Sequence, residues 1–303
     1  MKVPLPAEAI GGRLDGSTVA ATLCYLRWCL EVAALHLEYW WLIPVGCAVG
    51  AYGTLIGAGG GFVLVPFLVL LYPHESTAVI TSISLAVVFF NALSGTIAYA
   101  RMGRVHYKAG LTFSAATVPG AILGAVTTNY IPRTAFNLVL GIVLLAVSAF
   151  LILRPANAEH TGRDEHDSST IGKTRSFDFD WHPKTGIVLS LFVGYASSVL
   201  GIGGGIIHVP ALISLLGFPA HVATATSHFV LAVTAFAGTA THVVGGAFTR
   251  GVFRTIYLSI GIVVGAQFGA LVSRRIHGKW IVRALAAALA AVAVRILVAA
   301  AGL

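Results

Sequence analysis

"IGAGGGFVLVP", residues 56 to 66, interrupts a long apolar run with three consecutive glycines and a proline. Inside a helix each glycine costs about 1 kcal/mol, and a proline about 3 kcal/mol, relative to alanine. A straight helix through this stretch is therefore unfavourable. At residues 200 to 210 the chain reads "LGIGGGIIHVP", the same device 144 positions later. The fold turns on what a chain does when its helices are broken twice at matching places.

The surroundings of these breaks are those of a membrane protein. The chain has 303 residues, of which 57% are hydrophobic and only 10% charged, with a mean hydropathy of +0.88. Soluble domains carry about 25% charged residues. The net charge of +8 does not point to nucleic acid, because the lysines and arginines sit in short loops between apolar runs, where they act as topology signals. Cys24, Cys29 and Cys47 have no metal or redox spacing, so neither a cofactor nor a metal is expected.

Apolar segments run from 39 to 72, 78 to 100, 110 to 130, 134 to 153, 185 to 216, 222 to 247, 255 to 273 and 280 to 301. About 20 residues of helix cross a bilayer core. The first and fifth segments exceed one crossing and both hold a glycine cluster, so each is expected to be a broken helix or a hairpin. The expected fold class is an all-α integral membrane protein. Four parts are expected: an N-terminal segment, 1–38, as an interfacial helix or extra span; a first repeat, 39–153; a polar cytoplasmic linker, 154–184; and a second repeat, 185–303.

The two halves share more than the glycines. "AVITS" at 78 to 82 matches "ATATS" at 223 to 227, and "GAILGA" at 120 to 125 matches "GAQFGA" at 265 to 270. If each broken segment crosses once, the halves are parallel and ten basic residues lie inside against five outside. If each is a hairpin, the halves are inverted and the score is twelve against three. The positive-inside rule favours inversion, with two repeats of four to five helical elements.

A break in a membrane helix leaves unpaired amides at the start of the next half-helix, and these must find protein, water or a ligand. Together with the positive end of the helix dipole they suit an anion. Neither cluster is a nucleotide motif: Phe62 stands where a dinucleotide fingerprint needs glycine, and no lysine follows as in a P-loop. The competing role is close helix packing, which is the reading for Gly120/Gly124 and Gly265/Gly269.

None of the eleven acidic residues falls within an expected span core. A cation would find no counter-charge there, whereas an anion would meet amides, hydroxyls and histidine. His208, His228 and His242 do fall within spans. Thr224, His228, Thr239 and His242 share one helical stripe, and Thr77, Thr81, Ser84 and Asn91 form a comparable one. His208 and His228 are the candidates for an anion contact or a proton carrier. "NALSGT" at 91 to 96 lacks the glycine of a serine-nucleophile elbow and no H-E-x-x-H occurs, so an intramembrane enzyme is not expected.

Two copies of G-x-G-G-G with a proline behind them, each trailed by Ala-x-x-Thr-Ser, resemble the sulfite exporter TauE/SafE family over roughly residues 39 to 303. The resemblance implies a multi-pass permease of the bacterial cytoplasmic membrane that moves a small sulfur-containing anion: sulfite, sulfoacetate or a related organosulfonate. Carried over by position, it implies site elements at Gly57, Gly59, Gly60, Gly61 and Pro66, at Gly201, Gly203, Gly204, Gly205 and Pro210, and at the pairs Thr81/Ser82 and Thr226/Ser227. Joined to His208 and His228, these are the expected substrate contacts. Export fits the inside-negative potential; proton-coupled uptake and a passive anion channel are the alternatives. The expected partners are the small anion and the lipid bilayer.

Overall fold

The computed structural model describes residues 39–153, 183–272 and 279–300. The N-terminal segment 1–38 and nearly all of the linker lie outside the described residues. Among the described residues the structure is helical, without strands. Residues 42 onward make one compact unit.

Both glycine clusters break the chain where the sequence places the breaks. In the first half, α1 (Leu42–Ile56) is separated by the cluster from α2 (Gly61–Leu71). Three full-length helices follow: α3 (Thr77–Arg101), α4 (Tyr107–Thr128) and α5 (Arg133–Leu153). In the second half α6 (Pro183–Leu200) and α7 (Gly205–Leu216) flank the other cluster, and α8 (Ala220–Val244), α9 (Val252–Val272) and α10 (Lys279–Ala300) complete the chain. Pro183 and Lys184, expected in the linker, open α6.

An α-helix rises 1.5 Å per residue, so the 11 residues of α2 reach about 17 Å, well short of a 30 Å hydrocarbon core. Among the described residues, α3, α4, α8 and α9 are long and apolar enough to cross. Leu123 on α4, Phe192 on α6 and Phe268 on α9 stand exposed on the outer surface, a cost in water and a gain in lipid.

Local chemistry sets the helix starts. Ser76 caps α3 by accepting the amide of Val79 at 3.4 Å, and His106 caps α4 by accepting that of Ala109 at 3.1 Å through Nδ1. Small residues set the packing. A β-carbon on Gly265 would stand 2.8 Å from the Cys47 carbonyl carbon, and one on Gly124 would stand 3.1 Å from the Val199 amide. These glycines let α9 lie backbone to backbone on α1, and α4 on α6, which is the close-packing role expected of both pairs.

The contacts also fix directions. Gly46 meets Leu258 and Gly50 meets Ile262, so α1 and α9 run parallel. Gly120 meets Leu191 and Gly124 meets Tyr195, so α4 and α6 run parallel too. By contrast α3 and α8 run antiparallel, since Thr81 pairs with His242 while Gly95 meets His228.

At one end of the molecule Arg254, at the start of α9, bridges Glu75 at 2.8 Å and stacks over the Tyr72 ring at 3.9 Å. Arg133 donates there to the carbonyls of Glu75, Val69 and Tyr72, closing the C-terminus of α2. Since α1 begins beside the start of α9, α1 and α2 both have their outer ends at this face. The first glycine cluster is thus the tip of a hairpin that enters and returns. By the same reasoning α6 and α7 form a hairpin from the opposite face, where α4 and α8 begin.

Candidate functional site

The two hairpin tips meet in the middle of the molecule. Gly57, Gly59 and Gly60 have φ of 85°, 77° and 77°; Gly201, Gly203 and Gly204 have 69°, 81° and 59°. Only glycine takes this left-handed backbone without strain. The contact is reciprocal. A β-carbon on Gly61 would lie 2.6 Å from the Ile202 carbonyl oxygen, and one on Gly205 would lie 2.7 Å from that of Gly57. Val88 of α3 and Leu231 of α8 close the sides against Gly59 and Gly203.

The tips differ in what their amides do. In the first, the Gly53 carbonyl accepts from Gly57 at 3.1 Å, Ala58 at 2.9 Å and Gly59 at 3.2 Å. In the second, the amides of Gly201, Ile202 and Gly203 make no backbone hydrogen bond among the described residues. Gly204 heads α7, as Gly60 heads α2, without a side-chain cap, so the positive end of each of these helices is open.

Beside the second tip is a cavity with room for about one water molecule. The glycine backbone 203–205, Ser197, Ser227 and His208 line it, with Thr117 and Thr234 behind. Ser197 and Ser227 are fully buried and their hydroxyls have no partner. His208 is 2% exposed; its Nε2 lies 3.3 Å from Ser190 Oγ while its Nδ1 is unpartnered. Thr234 donates to the Thr117 hydroxyl at 2.7 Å. Buried polar atoms left unpaired cost about 1–3 kcal/mol each, so their convergence marks a place for something that pairs with them. The lining residues carry no carboxylate, lysine or arginine.

The other expected site residues lie at varying distances from this cavity. Thr81 donates to the Thr77 and Ala78 carbonyls at 2.9 and 3.2 Å and packs its Cβ side against Gly201. Ser82 donates to the Val79 carbonyl at 2.8 Å, within its own helix. Thr226 accepts the His106 amide at 3.1 Å, facing the α3–α4 turn. Pro66 and Pro210 lie inside α2 and α7. His228 is fully buried but outside the cavity, against Gly95 and edge-on to Tyr99 with ring centroids 5.4 Å apart.

Ser190, Ser197, Thr117 and Thr234 were not singled out by sequence. Ser190 and Ser197 lie on the helix that leads into the second cluster, a signal that was present but weak. Among the described residues no three His, Cys, Asp or Glu side chains gather as metal ligands.

The profile of the family described as "Sulfite exporter TauE/SafE" matches residues 42–296. The chain is 32% identical over 251 residues to the "probable membrane transporter protein YunE" of Bacillus subtilis, covering 80% of this chain and 90% of that relative. A second probable membrane transporter protein, from Methanocaldococcus jannaschii, is 25% identical over 266 residues, covering 82% and 92%. No solved structure matches the chain.

Proposed function

The chain belongs to the sulfite exporter TauE/SafE family of membrane transporters, and from that premise we propose that it exports a small sulfur-containing oxyanion, sulfite or an organosulfonate such as sulfoacetate, across the bacterial cytoplasmic membrane. The observation that carries the reading is the convergence of unpartnered polar groups at the head of α7: the Ser197 and Ser227 hydroxyls, His208 Nδ1, which donates when Nε2 accepts from Ser190, and the amides of the second glycine tip. Hydroxyls, imidazole and amides donate to sulfonate oxygens without an ion pair. A carrier benefits from that, because a site that binds through neutral donors also releases.

The geometry supports alternating access. Each hairpin enters from one face and its partner from the other, and the sequence matches pair each element with one running the opposite way, as in inverted-repeat carriers. Among the described residues six basic positions, Arg101, Arg104, Lys108, Lys184, Lys279 and Arg283, fall at the Arg101 face and three, Arg133, Arg250 and Arg254, at the Glu75 face, which makes the Arg101 face cytoplasmic in this reading. Moving one negative charge outward releases about 2.3 kcal/mol per 100 mV, so export runs downhill.

The test is radiolabelled sulfite and sulfoacetate flux in proteoliposomes with the potential set by a potassium gradient. Saturable flux toward the positive side, with counterflow, is expected. Flux that grows without saturation indicates a channel, and no flux of either anion overturns the substrate reading.

A further inference from the structure

We propose that His228, with Thr54, Asn91 and Tyr99, forms a proton-binding site at the C-terminal end of α1, separate from the anion cavity and coupled to it through α8. The coupling half of this proposal rests on the transport reading above; the proton site itself does not.

The cluster is fully enclosed. His228, Thr54 and Asn91 are buried to 0% exposure and Tyr99 to 2%. Around the face of Gly95, His228 Nε2 and Thr54 Cγ2 lie 3.0 and 3.3 Å from where a β-carbon would sit, so the two side chains share the space that glycine leaves. Thr54 donates to Asn91 Oδ1 at 3.0 Å, and Tyr99 donates to the Thr54 carbonyl at 2.9 Å. By strict hydrogen-bond geometry both ring nitrogens of His228 are unsatisfied, although the Thr224 backbone one turn earlier lies close to them, and Asn91 Nδ2 has no partner.

A neutral imidazole carries one N–H and one bare nitrogen. Here the acceptors within the cluster are the Asn91 carbonyl, the Thr54 carbonyl and hydroxyl, the Tyr99 phenol oxygen and the Tyr99 ring. All of these groups can accept from an imidazolium; the remaining unpartnered group of the cluster, Asn91 Nδ2, is a donor. The Thr54 carbonyl belongs to the last turn of α1, where the helix dipole favours a cation. The arrangement is the electrical complement of the anion cavity, which sits at the positive head of α7.

The titratable group facing His228 is Tyr99, from α3. From α1, Thr54 shares the Gly95 face with the ring. The charged residues of α3, α4 and α8 are confined to the ends of those helices, as with Arg101 and Lys108, so no fixed charge competes at this depth.

The link between the sites is one residue long. Ser227 lines the anion cavity and His228 is its neighbour on α8, about 100° further round the helix. One segment of α8 therefore packs on the first hairpin through Thr224, which lies against Gly57, one turn before His228, and faces the second through Ser227. A proton that gives His228 a second N–H draws it toward the α1 carbonyls, and the same helix segment carries Ser227 relative to the head of α7. The step is a proton transfer alone: the proton forms an N–H bond on the bare ring nitrogen and leaves to water at the other face. In an exporter the proton enters as the anion leaves, adding a second downhill charge movement.

The test uses the full chain in nanodiscs. Hydrogen exchange of residues 53–62, corrected for intrinsic rates, is followed from pH 4 to pH 8, a window that also covers a histidine displaced by burial. Wild type is expected to show a cooperative loss of protection at acid pH that His228→Gln lacks, while Tyr99→Phe keeps the transition with a shifted midpoint. An identical transition in wild type and His228→Gln, or none in wild type, overturns the proposal. In proteoliposomes, proton movement linked to sulfite is expected in wild type and lost in His228→Gln; its persistence in the variant also overturns the proposal. Absence of sulfite flux from wild type, with the exchange transition intact, overturns the transport reading and leaves the proton site standing.

Discussion

Gly205 sits against the carbonyl of Gly57, whose oxygen lies 2.7 Å from where a β-carbon on Gly205 would stand. Neither residue has a flexible side chain to move aside, since the neighbours are backbone atoms of the opposite hairpin. The two tips are therefore built to touch through hydrogen and carbonyl oxygen alone.

Replacing Gly205 or Gly61 with alanine is expected to force the tips apart and abolish anion flux while the protein still inserts. Overpacking of this kind costs about 1–3 kcal/mol. The comparison is Gly103→Ala: Gly103 has φ of 65° with nothing within 4 Å of its β-position. That variant bears only the backbone cost, about 1–2 kcal/mol, and keeps its flux. Flux and thermal melting on the three variants separate backbone strain from contact between tips. Equal flux in all three removes the tip contact from the mechanism.

The end of α2 gives a prediction about stability. Arg133 donates to three carbonyls, while Glu75 makes one partly exposed ion pair with Arg254, the two side chains being 22% and 15% exposed. Hydrogen bonds to a charged group contribute about 1.5–3 kcal/mol, whereas an exposed ion pair contributes about 1 kcal/mol or less. Arg133→Leu should lower the melting temperature several-fold more than Glu75→Gln. Arg133→Lys should recover little, because lysine lacks the fork that reaches carbonyls of successive residues. The order of the three melting temperatures checks this.

A labelling experiment tests the hairpins directly. With Cys24, Cys29 and Cys47 replaced, single cysteines at the exposed positions Pro44, His74, Tyr130 and Lys108 report which face each occupies. A hairpin puts 44 and 74 on the same face as 130, accessible from outside in whole cells, with 108 accessible only from the cytoplasm. If 44 labels from the opposite face to 74, then α1 and α2 cross the membrane instead of returning.

The breaks themselves were legible because glycine and proline act locally. "IGAGGGFVLVP" and "LGIGGGIIHVP" end one helix and start another whatever surrounds them. Whether a broken segment crosses or returns was less legible, since that depends on Gly46 meeting Leu258 and on Arg254 reaching Glu75, contacts more than 170 positions apart in sequence. The positive-inside count could favour a return over a crossing because loop charge is also a local property. The cavity was only partly legible. Ser227 lay within the matched "ATATS" element, but Ser197 and Thr117 are ordinary small polar residues in apolar helices. Only the fold shows that they turn toward the head of α7. Ser82 and Thr226, the matched partners of Ser227 and Thr81, spend their hydroxyls on the Val79 carbonyl and the His106 amide. The same letters in the two halves thus do different local work.

Ser197 and Ser227 allow the anion site to be separated from the scaffold by the sign of its effects. Each hydroxyl is buried with no partner from the protein, and such a group costs about 1–3 kcal/mol. Ser197→Ala and Ser227→Ala remove that cost, leaving behind a gap smaller than a methyl group, so the empty protein should melt at the same temperature or higher. If the hydroxyls donate to a bound oxyanion, each alanine forfeits a charge-assisted hydrogen bond of about 1.5–3 kcal/mol, or roughly 10- to 150-fold in apparent affinity. Stability and affinity should thus move in opposite directions, a pattern that a purely structural serine does not give, since its loss lowers stability and leaves affinity alone. Half-saturating sulfite concentration in counterflow, beside melting temperature without ligand, reads both quantities on the same preparation. A fall in melting temperature with unchanged affinity assigns the two serines to packing and moves the anion elsewhere along the hairpin tips.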